Sequence, residues 1–159
     1  MPEQSFEKRL SGAAADHDAL GAERLVLILE QSSEGFRQAA FDCLELWGGH
    51  PGRIEALYAA ALMFYECNEL YLGLLAAEYA TTMRARPSTG TQWPFHREAT
   101  GWHLDLLYAR LLVLVGRIAE AMAHYGTVLS KCDSVVRKDL VDEVMNASKG
   151  LDLAVVQNR

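Results

Sequence analysis

Residues 107–129 read LYARLLVLVGRIAEAMAHYGTVL. Apolar side chains recur at helical spacing on both sides of Gly116, a residue type that ends helices because it accepts left-handed backbone without a Cβ clash. The stretch predicts a helix over 102–115, a stop at Gly116 and a second helix over 117–131, folded back as a hairpin.

The same alternation of apolar helix and short break continues in both directions. Leu25, Ile28 and Leu29 share a face with charged residues between them, which predicts a helix over 17–31. SSEGF follows as a break, with Ser32 or Ser33 placed to cap a helix over 34–47. GGHPG closes that helix with glycines and a proline. Helices over 53–67 and 69–86 are so apolar that each should touch neighbours on more than one side. PSTGTQWPFHREATG, 87–101, interrupts the pattern with two prolines, which no continuous helix tolerates. A last amphipathic helix starts at Asp133 or Ser134 and runs to about 156. β-branched residues are too scattered for strand alternation, so the fold class is all-α with about seven helices. Residues 1–16 are read as a flexible segment ahead of a single domain, 17–156.

Aligning EGFRQAAF, ELYLGLLA and GRIAEAMAHY divides the chain into units of 34 residues, 20–53, 54–87 and 102–135. An insertion, 88–101, separates the second from the third, and 134–156 follows as a capping helix. This pattern resembles the tetratricopeptide repeat. By that resemblance Ala39, Ala61, Gly73, Ala80, Ala109 and Ala121 hold the family's small-residue positions, Tyr125 its second-helix aromatic, Asn68 a turn, and Pro51 and Pro87 its terminal proline. Small residues suit such places because a bulkier side chain where helices cross would force the axes apart. Glu23, Leu57 and Asp105 depart from the pattern at the early first-helix aromatic, and Leu27 at a small-residue position. The resemblance implies antiparallel hairpins stacked as a short right-handed superhelix; a non-repeat helical bundle is the alternative, since short loops and small contacts suit it equally.

A stack of this kind implies a concave groove for a peptide, lined by Arg24 and Ile28, by Tyr58, Leu62 and Tyr65, and by Leu106, Arg110 and Val113. The same tyrosines and leucine fit a core stripe, and Arg24 and Arg110 fit surface pairs with Glu23, Glu55 or Asp105. The lysine and asparagines with which one subclass clamps a terminal carboxylate are not reproduced. Trp93, Phe95 and Trp102 gather aromatic surface in the insertion, either as a contact loop or as a seal between hairpins.

Fifteen Lys and Arg stand against 21 Asp and Glu, a net charge of −6, and no basic cluster exceeds Arg137-Lys138. Nucleic acid is therefore not an expected partner. The longest apolar run, ALYAAALMFY at 56–65, is about half a membrane span. The amino-terminal stretch has no apolar segment of the signal-peptide kind, and Cys43, Cys67 and Cys132 lack any ligand spacing. A cytoplasmic location follows. No nucleophile elbow, phosphate loop, HExxH or dinucleotide fingerprint occurs, so neither enzyme activity nor a cofactor is expected. The expected function is a protein–protein interaction module, a chaperone or adaptor holding another polypeptide, with self-association through the insertion or the last helix as a further route. The competing reading is a bundle with a small-molecule or metal pocket around His96, Glu98, His103 and Tyr108.

Overall fold

The computed structural model describes residues 3–84 and 90–157. Among them the chain forms eight α-helices, one 3-10 turn and no strand. The helices are α1 (Glu3–Gln31), α2 (Phe36–Gly49), α3 (Ile54–Glu66), α4 (Leu70–Met83), α5 (His96–Thr100), α6 (Trp102–Leu114), α7 (Ile118–Lys131) and α8 (Ser134–Gln157). The expected stop at Pro87 and the start of the insertion at Ser88 lie outside the described residues.

Three local expectations are corrected. First, α1 begins at Glu3 instead of 17. No proline interrupts 3–31 and three successive alanines, Ala13 to Ala15, favour helix, so it continues although residues 11–17 are exposed. Second, neither Ser32 nor Ser33 caps α2. The Ser32 hydroxyl donates to the carbonyl of Leu29 at 2.7 Å, Ser32–Glu34 form the 3-10 turn, and Gly35 precedes α2 without a side-chain cap. Third, the insertion contains α5, a helix bracketed by Pro94 and Gly101 so that neither breaker sits inside it.

The α3–α4 and α6–α7 hairpins are built alike. Their helices are 13 and 14 residues long in both cases. Asn68 (φ 62°) and Gly116 (φ 84°) make the left-handed step, and the next amide reaches back, Glu69 to the Phe64 carbonyl and Arg117 to the Leu112 carbonyl, both at 2.8 Å. This turn closes orphan carbonyls at the helix end, and asparagine and glycine are the residues that tolerate it. The helix α2 also has 14 residues and begins 34 positions before α4, at Phe36 and Leu70.

Helices follow one another in space as in sequence: α1 on α2, α2 on α3, α3 on α4, α4 on α6, α6 on α7 and α7 on α8. In addition α3 touches α5 and α6, and almost every residue of α3 is buried. One core joins α3, α4, α6 and α7, a second joins α1, α2, α3 and Trp93, and a third lies between α7 and α8. Ala61, Ala80, Ala109 and Ala121 have no exposed surface. A Cβ on Gly73 would lie 3.1 Å from Leu111 Cδ2 and 3.3 Å from the Ala61 carbonyl oxygen, so its bareness lets α4 approach α3 and α6 together. No helix among the described residues is long and apolar enough to cross a membrane.

Candidate functional site: an open cleft under the last helix

A depression of about 750 Å³, open to solvent, is lined by Tyr65, Arg110, Val113, Leu114, Tyr125, Glu143, Asn146 and Ala147. Tyr65 comes from the end of α3, Arg110 to Leu114 from the last turns of α6, Tyr125 from α7 and the remainder from α8. Apolar walls are thus combined with a few convergent polar groups, the make-up of binding clefts in general.

Those polar groups form one cluster. Arg110 Nε donates to Glu143 Oε1 and Nη2 to Oε2, each at 2.9 Å, while the Tyr125 hydroxyl donates to Oε1 at 2.7 Å. The fork–carboxylate geometry is the strong, orienting kind of ion pair. Arg110's bonds hold the Glu143 carboxyl below the ordinary glutamate range despite partial burial. Burial first, and then the bond to Glu143, push the Tyr125 phenol up. At neutral pH the cluster is a fixed anion held by a cation and a hydroxyl, and no group in it is poised to accept a proton.

Of the residues expected in a groove, Tyr65, Arg110 and Val113 meet in this cleft. The others do not join them. Ile28 is buried in the core of α1, α2 and α3, and Tyr58 is 6% exposed with its ring edge-on to Phe95 at 5.4 Å. Leu62 and Leu106 are half-buried against the main core. Arg24 lies on the surface, 3.7 Å from Glu45. The groove positions implied by the resemblance thus divide among the core, the cleft wall and the outer surface.

The insertion packs inward. Trp93 is 2% exposed, its indole Nε1 donates to Asp18 Oδ1 at 3.1 Å, and the Thr91 amide donates to Oδ2 at 2.8 Å. Asp18 also accepts both arms of Arg53, whose guanidinium lies over the Trp93 ring. Behind them Glu55, with no exposed surface, accepts a 2.7 Å bond from His96 Nδ1. Phe95 is half-buried and takes the left-handed conformation (φ 62°) ahead of α5. Trp102, also half-buried, stacks on His103 at 3.7 Å. Aromatic and buried ionic contacts therefore seat the loop against α1 and α3, and Trp93 is not available to a partner.

The histidines singled out by sequence serve separate neighbours: His96 bonds Glu55, whereas His103 stacks on Trp102. Tyr108 packs against His124 at 4.5 Å. Among the described residues no three His, Cys, Asp or Glu side chains are grouped to hold a metal. Sequence reasoning missed Glu143 and Asn146, since the polar face of α8 gives no sign of which residue meets Arg110.

No protein-family profile, curated protein or solved structure matches this chain.

Proposed function

We propose that the chain is a short stack of helical hairpins of the tetratricopeptide kind, and that it acts as an adaptor or chaperone by holding a segment of another polypeptide in the cleft beneath α8. The meeting of Tyr65, Arg110 and Val113 in one open, apolar-walled cleft carries this reading. Tyrosine and arginine are the side chains that most often anchor protein interfaces, because each joins a large contact area to a polar tip. The equal lengths of α2, α4 and α7, and the matching turns at Asn68 and Gly116, support the repeat reading.

Val113→Asp tests the function, since it places an unpaired charge on the cleft wall while Leu111 and Leu112 keep the core of α6. A polypeptide captured by the native protein should be lost by Val113→Asp with its helical signal retained. Equal capture by both proteins would remove the cleft from the function.

A further inference from the structure

Resting on the reading of the cleft as a polypeptide site, we infer that α8 is its displaceable wall, that the Arg110–Glu143 pair is the latch, and that the partner is a helical segment that takes the place of α8 and presents an acidic side chain where Glu143 stood.

Three donors, Arg110 Nε, Arg110 Nη2 and the Tyr125 hydroxyl, converge on a single carboxylate. A site assembled this way is complementary to an anion, and here the anion is supplied by the chain's own terminal helix. A basic partner has little to bind, because three bonds already occupy most of the roughly four acceptor positions of a carboxylate. With α8 withdrawn, Arg110 is left beside Tyr65 and Tyr125, a local cation within apolar walls. An incoming segment without an acidic group would leave that guanidinium, only 38% exposed in its side chain, covered and unpaired.

The hold on α8 is slight for a helix of 24 residues. Its main neighbour is α7. Among its described side chains only Leu140 and Ala147 are fully buried, while Val135, Val141 and Met145 are exposed. Elements with few buried apolar contacts are those that open locally below the global unfolding free energy. The resident pattern also specifies the incoming one: Leu140, Glu143 and Ala147, spaced three and four apart, put an acidic side chain between two apolar ones on one helical face. The overall charge of −6 opposes an acidic partner at long range, so added salt should speed association while weakening the latch contact itself.

The test uses the full chain and its own terminal helix as probe. Glu143→Arg sets two cations against each other and should free α8. A fluorescent peptide with the sequence of residues 134–157 should then bind at least tenfold more tightly than to the native protein, and the same peptide carrying Glu143→Gln at least tenfold more weakly than the glutamate form. In Glu143→Gln protein, which keeps the side chain's size, amide exchange over 134–150 should rise at least fivefold with α3 and α6 unchanged. Unchanged exchange there overturns the latch. Equal binding of the two peptides to the freed protein leaves the cleft as a polypeptide site and overturns the carboxylate rule. If neither peptide binds although α8 exchanges freely, the cleft reading falls and this inference with it. Should Glu143→Arg lose its helical signal, Glu143→Gln protein takes its place in the binding measurement under the same criteria.

Discussion

Arg84 at the end of α4 and Asp105 in the first turn of α6 hold each other through two bonds, 2.7 Å from Nη1 to Oδ2 and 3.3 Å from Nη2 to Oδ1. His124 of α7 approaches the same carboxylate at 3.3 Å, so one buried anion ties three helices together. Asp105 is 2% exposed, and its burial, which alone would raise the carboxyl, is outweighed by His124 and Arg84, leaving it below the ordinary aspartate range. Asp105→Asn keeps the shape and removes the charge, leaving Arg84 partly buried and unneutralised. A loss of about 3 kcal/mol is expected, the low end for breaking a buried pair because Arg84 keeps some solvent. Urea denaturation measures it, and a loss under about 1 kcal/mol would mean that water replaces the pair.

Gly21 lies on the face of α1 that meets the α2–α3 link. A Cβ there would stand 2.6 Å from the His50 ring and from Trp93 Cζ2, closer than packed atoms allow. Gly12, on the same helix, would meet nothing within 4 Å. Alanine in place of glycine inside a helix ordinarily gains about 0.5–1 kcal/mol. Gly12→Ala should show that gain and Gly21→Ala should reverse it, exposing the Trp93 indole as a red shift in fluorescence. The same sign for both variants would contradict the close approach of α1.

Most helix boundaries could be read from the sequence because glycine and proline act locally. Gly116, the GGHPG run and Asn68 end their helices through backbone conformation, whatever surrounds them. The start of α1 was not legible, because exposed alanine-rich helix has no hydrophobic period to mark it. Partner choice among charges was illegible for a different reason. Arg110, Arg24, Glu55 and Asp105 all suggested surface pairs, yet Glu55 and Asp105 are buried with His96 and Arg84, while Arg110 turns to Glu143, 33 positions on. Pairing across helices depends on how they are packed, and a single helix's periodicity holds no record of that.

Tyr58 and Tyr65 share α3 but should respond differently. Tyr58 is core, packed on Phe95, and burial pushes its phenol up to about 12. Tyr65 is half-buried at the rim of the cleft. Tyr58→Ala is expected to cost about 3–5 kcal/mol by cavity formation, and Tyr65→Ala about 1 kcal/mol, an ordinary effect for a partly exposed side chain. Denaturant midpoints for the two proteins decide it, with equal losses counting against the separation of core from cleft.

The three cysteines should differ in reactivity. Cys43 has no exposed surface and burial pushes its thiol up to about 12, while Cys132 is 4% exposed. Cys67, in the α3–α4 turn, is partly exposed, with its thiol donating to the Phe64 carbonyl. Because the thiolate is the reactive form and needs access, a mild thiol reagent on the folded protein should modify one cysteine quickly, and mass mapping should place it at Cys67. Fast labelling at Cys43 would show that α2 opens far more readily than its packing implies.

Stability should rise with pH in two steps, and the docking of α1 contributes to both. The His50 imidazole, held below its usual 6.5 by burial and then by neighbouring His17, is favoured neutral in the folded chain. The unfolded chain therefore binds the proton more readily, and this stabilisation, complete above 6.5, fades as the pH falls below it. For Asp18, burial is outweighed by the bonds from Arg53, Thr91 and Trp93, so its carboxyl lies below 3.8. Its contribution is complete above that value and is lost as pH falls through the folded pKa. Thermal midpoints from pH 8 to pH 3 should therefore decline first as the pH falls below 6.5 and again as it falls below 3.8. His50→Gln should flatten the upper step, and Asp18→Asn should shrink the lower one, to which Asp105 and Glu143 also contribute. A single acid transition untouched by either substitution would mean that the α1 contacts do not set the acid limit of the fold.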